Sequence, residues 1–267
     1  MNETLDDLTI VHLSDTHVGS SFFLPNLLER AIDEINEMEP DAVVMTGDLT
    51  DEGFRQQYRS AQSYLFRIKC PQRLVVPGNH DSRNVGHIHF EELIGPRDSV
   101  IHLPGITIVG VDSSEPDLDS GRIGRESYAW LEEAFRDENF KIFALHHHLL
   151  PVPATGRERN IVSDAGDVLE VLLKIGVDVV LTGHKHVPYA WKLENLFVVN
   201  AGTVATLRLR GRTKPCYNLI KLEKGRVRIY RKYPFGGRDL IVDVSLTERD
   251  YCRWIEPLEA EIGGGAD

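Results

Sequence analysis

Five short segments of this chain carry side chains able to ligate a metal ion, and each follows an apolar run. They are Asp15-Thr-His17, Thr46-Gly-Asp48, Gly78-Asn79-His80-Asp81, His146-His147-His148 and Gly183-His184-Lys-His186. Asp, His and Asn offer oxygen and nitrogen donors that suit manganese, iron, zinc or cobalt. Asp15 and His17 lie two apart on an extended segment, as do His184 and His186, so the members of each pair can face one side. Asp48 has two oxygens and can bridge two ions, and Gly78 permits a sharp backbone turn. One such motif arises by chance in many chains. Five in series at the ends of apolar runs do not, because ligands of open α/β sheets bind at the carboxyl ends of strands.

The elements that must hold these groups are legible as alternating periods. Leu8–Leu13, Ala42–Met45, Leu74–Val76, Ile106–Val111, Lys141–Leu145 and Val179–Leu181 are short, apolar, β-branched runs bounded by polar residues, glycine or proline, and they predict buried strands. Between them Pro25–Met38, Arg125–Phe135 and Asp164–Ile175 repeat apolar residues at helix spacing. Strand–helix alternation predicts an α/β layered fold. The runs Pro40–Asp48 and Val177–His184 echo each other, each a strand leading into Thr-Gly and a ligand type, which predicts two similar halves meeting at one site. After about Leu196 the helices stop. Phe197–Val199, Val204–Arg210, Tyr217–Leu222 and Val227–Tyr230 read as strands, with a hairpin turn at Lys224-Gly225. Residues 1–236 are expected to form the domain, and 237–267 a peripheral segment of strand, helix and Gly-rich tail.

Length and composition bound the answer. The 267 residues are 42% hydrophobic and 27% charged, which is ordinary globular usage and excludes a disordered or collagen-like chain. No apolar run approaches the roughly 18 to 20 residues that span a bilayer. The acidic start lacks the basic and apolar regions of a signal peptide. Three scattered cysteines, Cys70, Cys216 and Cys252, form no CxxC and fit a reducing compartment. A cytoplasmic protein with no membrane contact is the expectation.

The ordered pattern D-x-H, G-D, G-N-H-D, H and G-H-x-H resembles the calcineurin-like metallophosphoesterase superfamily, over residues 8 to 203 or so. Within it, Gly121–Leu131 and the histidine run closed by Pro151 are similar to the class III branch, the small cyclic-nucleotide phosphodiesterases. The resemblance implies a four-layer αββα sandwich carrying a C-terminal antiparallel β extension. It also implies two divalent or mixed-valence ions (Mn, Fe, Zn or Co), and a hydroxide bridging them as the attacking group. Asp15, His17, Asp48 and His186 would hold one ion; Asp48, Asn79, His146 and His184 the other. Seven ligand residues with Asp48 counted twice leave about four of twelve octahedral positions open, as a catalytic site requires. His80 is implied to protonate the leaving alkoxide, with Asp81 holding its imidazole. His147 and His148 would face the rim or solvent, His12 would pack, and His87 and His89 would lie on the surface or touch substrate. The 83–99 and 151–165 loops are candidates for a substrate cap.

Charge is uneven. The chain carries −11 overall, yet residues 207–238 hold eleven Lys or Arg against one acid, Glu223. Period-two spacing of Arg208, Arg210, Arg212 and Lys214, and of Arg226 and Arg228, predicts shared strand faces. These form either the solvated side of a hairpin or a surface for nucleic acid. The leading expectation is hydrolysis of a small phosphodiester, a cyclic nucleotide first. A broad phosphomonoesterase or nuclease using the same centre comes second, and a non-catalytic metal-binding interaction module third. A small phosphate ester is the expected partner, and a homodimer is compatible with the sequence.

Overall fold

A computed structural model describes residues 7–156, 159–210 and 213–246. In chain order the first half runs β1 (Leu8–Leu13), α1 (Pro25–Met38), β2 (Ala42–Thr46), α2 (Arg55–Leu65), β3 (Arg73–Val76) and α3 (Gly86–Leu93). The second half runs β4 (Ser99–Leu103), β5 (Ile106–Gly110), a 3-10 turn (Arg125–Ser127), α4 (Tyr128–Ala134), β6 (Phe140–Ala144), α5 (Ala165–Ile175), β7 (Val179–Thr182), β8 (Tyr189–Leu193) and β9 (Leu196–Asn200). The chain then returns through β10 (Tyr217–Glu223), β11 (Arg226–Lys232) and β12 (Arg238–Ser245).

Two six-stranded sheets result, ordered β12-β11-β10-β1-β2-β3 and β4-β5-β6-β7-β9-β8. β1, β2 and β3 are parallel, as are β5, β6, β7 and β9. Helices make these crossovers except the last, where β7 reaches β9 through the edge strand β8. Helices on one face with a second sheet on the other explain why these strands read as unbroken apolar runs. Ile10, Val44 and Val76 pack against Ile108, Ile142, Leu181 and Val199 between the sheets. On the outer face of the first sheet, Val11 and Val43 meet Leu28, Ile32 and Ile35 of α1 and Tyr58 of α2. On the other outer face, Val109, Phe143 and Val180 meet Leu131 of α4 and Val168 and Leu172 of α5. The expected αββα sandwich is the observed one. Among the described residues no helix is long and apolar enough to cross a membrane.

Several local expectations change. Arg125–Phe135 opens as a 3-10 turn before it becomes α4. The short α3 and the edge strands β4 and β8 carry too weak a periodic signal to be read from sequence, whereas α2 has a regular helical period under a strongly polar composition. Val204–Arg210 is not a strand. Its backbone groups are used on the site loops instead of a ladder: Val204 N–H donates to Ser14 O, Leu207 N–H to Phe22 O, and Thr206 makes one isolated bridge to Phe23. The last expected strand is β12, hydrogen-bonded to β11 at the sheet's edge. The helix and Gly-rich tail expected beyond it lie outside the described residues. Lys224 and Gly225 both take positive φ, 51° and 72°, as a tight hairpin turn needs.

Glu34 on α1 clasps the returning hairpin. Its carboxylate accepts from Tyr217 Oη (2.9 Å), Lys232 Nζ (2.8 Å), Arg30 Nε (2.9 Å) and the Phe235 N–H (3.2 Å). Burial works to raise its pKa, and the hydrogen bonds from Lys232, Tyr217 and Arg30 overcome that and hold it below the ordinary glutamate range. A depressed carboxyl pKa stabilises the fold above that range, and the contribution fades as pH falls through it. Glu34→Gln should therefore cost about 1–3 kcal/mol at neutral pH. Urea unfolding of the pair at pH 7 and pH 4 should show the gap narrowing in acid; a pH-independent gap would refute the linkage.

Candidate metal centre

All five motifs come together where the strands of both sheets end. Asp15 and His17 follow β1, Asp48 follows β2, Asn79 follows β3, His146 follows β6, and His184 and His186 follow β7. The halves are tied across the site: His184 N–H donates to Asp15 Oδ2 (3.1 Å), and His146 Nδ1–H to Thr46 O (2.7 Å). Close approach explains the motif glycines. A Cβ at Gly183 would lie 1.9 Å from Ser14 Oγ, and one at Gly78 would lie 2.2 Å from Asp48 Oδ1. Asp15, His17, Asp48, His184 and His186 all take left-handed φ, between 47° and 71°. Asp and His tolerate this region better than most residues, yet each such position costs about 1–3 kcal/mol, and that strain gathers at functional sites.

The side chains form two groups that share one oxygen. In the first, His186 Nε2 lies 3.1 Å from Asp15 Oδ1 and 2.9 Å from His17 Nε2, and His17 Nε2 lies 3.5 Å from Asp48 Oδ2. In the second, His146 Nε2 lies 3.4 Å from the same Asp48 Oδ2, 3.1 Å from Asn79 Oδ1 and 3.2 Å from His184 Nδ1. His184 Nδ1 is 3.0 Å from Asn79 Oδ1. Asp48 Oδ1 accepts the His80 N–H (3.0 Å), which turns Oδ2 toward both groups. Asp15, His17, Asp48 and His186 together are a buried set able to hold a cation.

The outer nitrogens fix what the inner ones present. A carbonyl can only accept, so His146 Nδ1 donates to Thr46 O and His186 Nδ1 donates to Arg208 O. In the neutral rings Nε2 then turns a lone pair toward Asp48 and Asp15, and lone pairs facing carboxylate oxygens in a buried site are the arrangement a cation satisfies. Where no metal is bound, the same carboxylates favour a proton on these rings, so the site favours positive charge in either form. Burial acts against charge on His146, but the Asp48 carboxylate outweighs it and pushes the pKa up to about 9. His186 is raised in the same way by Asp15. Asp48, where burial is outweighed by the charges of His146 and His80, is held well below the carboxylate range. The donor set fits metal.

Two histidines and one aspartate depart from expectation. His147 and His148 are buried, not at the rim. His147 Nδ1 bonds Ser113 Oγ (2.9 Å), Nε2 lies 3.2 Å from Asp119 O, and its ring packs on His146 and His184; His148 stacks on His184. The strand end enters a site enclosed by the 112–123 loop, so its flanking residues are covered too. His12 packs as expected, neutral and fully buried between Thr46 Oγ1 and Asn218 Nδ2. His87 and His89 are half-buried away from the cleft.

Asp81 does not hold His80. Its carboxylate accepts the Leu49 N–H (3.0 Å), the Thr50 N–H (2.9 Å), Thr50 Oγ1 (2.8 Å) and the Gly78 N–H (3.0 Å), and so pins two motif loops together. Burial and then the Asp48 charge push its pKa up to about 6, which leaves it ionised at neutral pH. His80 Nδ1 instead donates to Asp51 O at 2.6 Å. Arg83 Nη1 lies 3.1 Å from the same nitrogen, but a nitrogen that donates cannot also accept, so the guanidinium acts there as a neighbouring charge. Asp51 was not singled out in the sequence, yet its Oδ1 lies 3.4 Å from His17 Nδ1 and 2.8 Å from Arg208 Nη1. No motif marks it; only its place three residues beyond Asp48 hinted at it.

A cleft of about 610 Å³ opens over the centre, lined by His17, Asp48, Asn79, His80, His184 and His186 and rimmed by Arg83, Arg159, Lys185, Arg208 and Arg210. Thr155, Arg159 and Asn160 of the 151–165 segment and Arg83 of the 83–99 segment, the two cap candidates, line its wall. Arg208 and Arg210 thus belong to the cleft rather than to a hairpin face. Arg226 and Arg228 do lie on the hairpin, and they pair with Asp243 and Glu223.

Residues 8–188 match the model of the calcineurin-like phosphoesterase family, and the chain belongs to that family. It is 30% identical over 197 residues to a cAMP/cGMP dual specificity phosphodiesterase of Mycobacterium tuberculosis, covering 67% of this chain and 62% of that protein. It is 31% identical over 157 residues to a probable glycerophosphodiester phosphodiesterase of Arcobacter nitrofigilis, covering 52% of this chain and 57% of that protein. The chain thus spans less than two thirds of the length of these relatives. Among solved structures, a purple acid phosphatase from yellow lupin superposes with a TM-score of 0.70 at 14% identity, over 87% of this chain and 52% of that one, a likeness of fold.

Asp81→Ala strands four buried donors and should lower stability by about 3 kcal/mol or more. A denaturation midpoint equal to that of the unmutated chain would refute the pinning role.

Proposed function

We propose that this protein is a metal-dependent phosphoric ester hydrolase that cleaves a small phosphodiester, a cyclic nucleotide first among candidates. One observation carries the reading: two buried donor groups share Asp48 Oδ2, with ring tautomers set to turn lone pairs inward. Asp15, His17, Asp48 and His186 would hold one ion, and Asp48, Asn79, His146 and His184 the other. Two divalent ions supply Lewis acidity that polarises a phosphoryl oxygen and makes water a competent nucleophile near neutral pH. Relatives named for cyclic nucleotides and for glycerophosphodiesters both point to diesters. The cleft volume suits a small molecule.

The chain's own groups divide the remaining work. His80 lines the cleft with Nδ1 tied to Asp51 O, so Nε2 is the atom free to carry and give up a proton. Protonated, it donates to the departing alkoxide, with the Asp51 carboxylate 3.9 Å from the ring to stabilise the charge. Arg83 and Arg208 on the rim draw the phosphate in and orient it. The same basic rim also suits a dianionic monoester, which makes monoester hydrolysis the reading to test against.

Metal-stripped protein refilled with manganese should hydrolyse bis(p-nitrophenyl) phosphate faster than p-nitrophenyl phosphate. Asp48→Asn should lose both activities and at least one equivalent of bound metal. A protein that binds no metal would sink the proposal; monoester preference would sink only the diester part. His80→Ala should keep both ions and lose about 10²–10⁴-fold in turnover on an alkyl leaving group, and much less on p-nitrophenolate, which needs no proton. Equal losses on both would remove His80 as the acid.

A further inference from the structure

Asn79 raises a question that Asp and His ligands do not. The two ends of its amide have nearly the same shape, and only the oxygen end can ligate a cation. Something must decide which end faces His146 and His184.

The deciding contact comes from the other half of the fold. Asp119, on the loop leaving β5, places Oδ1 3.1 Å from Asn79 Nδ2. A carboxylate only accepts, so it demands the NH2 end and turns Asn79 Oδ1 inward, 3.1 Å from His146 Nε2 and 3.0 Å from His184 Nδ1. Asp119 is itself held twice. Arg83 Nη2 donates to the same Oδ1 at 2.8 Å, and the Asp119 carbonyl lies 3.2 Å from His147 Nε2. Gly121 lets the loop lie against that imidazole, since a Cβ there would come within 2.5 Å of the ring. The buried second histidine of the triplet thereby acquires a purpose: it anchors the loop that carries the carboxylate.

We propose that Asp119 is a positioning residue for the metal centre, selecting the amide orientation of Asn79 and so setting the affinity of the ion bound by Asn79, His146 and His184. The inference rests on the metal reading given above. It predicts an effect confined to one of two ions, because Asp119 touches none of Asp15, His17 or His186 among the described contacts. Its side chain is half exposed, so truncation should leave the fold intact.

The test is a cobalt(II) titration of the metal-stripped full chain, followed by visible absorption, for the unmutated protein, Asp119→Ala, Asn79→Asp and the double variant. Asp119→Ala should weaken one of the two binding steps by about 10- to 100-fold and leave the other unchanged, with an unaltered thermal midpoint. In the Asn79→Asp background both ends of the side chain are oxygen and orientation no longer matters, so removing Asp119 should not reproduce that loss. Unchanged affinities in Asp119→Ala would overturn the inference while leaving the metal reading standing. An equal loss in the Asn79→Asp background would also overturn it, since the effect would then not pass through the amide. No uptake by the unmutated chain would overturn the metal reading and this inference together.

Discussion

Two carboxylates, Asp15 and Asp48, are buried side by side at the point where the sheets meet, and the rest of the structure answers to that. Like charges taken out of water are costly unless positive charge and hydrogen bonds compensate them. The compensation here is a ring of imidazole nitrogens whose outer edges are tied to backbone carbonyls. The carboxylates and the tied rings together make one concentrated binding field for cations. The left-handed φ angles at Asp15, His17, Asp48, His184 and His186 are what it takes to aim five side chains at so small a volume.

That strain is bearable because the surroundings are rigid. Dry layers of branched residues fill the space between the sheets and under the helices, so the strand ends are held in register. The loops beyond them are then fastened individually. Asp81 binds the second motif to the third, Thr203 Oγ1 donates to Asp15 O, and Glu34 keeps the returning hairpin against α1. The Val204–Arg210 segment gives up a place in a sheet ladder so that its carbonyls and arginines can serve the site.

Around the cleft, acid–base pairs recur. Asp51 with Arg208 stands beside His17, and Asp119 with Arg83 stands beside Asn79. In each pair the carboxylate faces inward toward a donor residue and the arginine faces the cleft. An anion arriving at the rim meets cations already pre-oriented by partners that themselves touch the centre, which limits the reorganisation binding requires.

The αββα order, six of the seven parallel strands and the five motifs that meet at the strand ends were readable in the chain. Unbroken β-branched runs between amphipathic helices have few ways to bury both faces, and ligand-type residues just past such runs are carried to one edge. Edge strands β4 and β8 and the irregular 204–210 segment were not readable, because their form is set by neighbours and not by local period. The same division holds in the site. The five motifs announce themselves by type and spacing, whereas the choice of Asn79 and His146 over their neighbours came from the resemblance to a family. The partners that orient their neighbours — Asp51, Asp119, the carbonyls of Thr46 and Arg208 — lie on loops up to about a hundred residues away in sequence from what they touch. Asp81 shows the limit most plainly. Adjacency in sequence suggested that it serves His80, yet at a sharp turn neighbouring side chains diverge, and three-dimensional packing gave Asp81 to the loop backbones and His80 to Asp51.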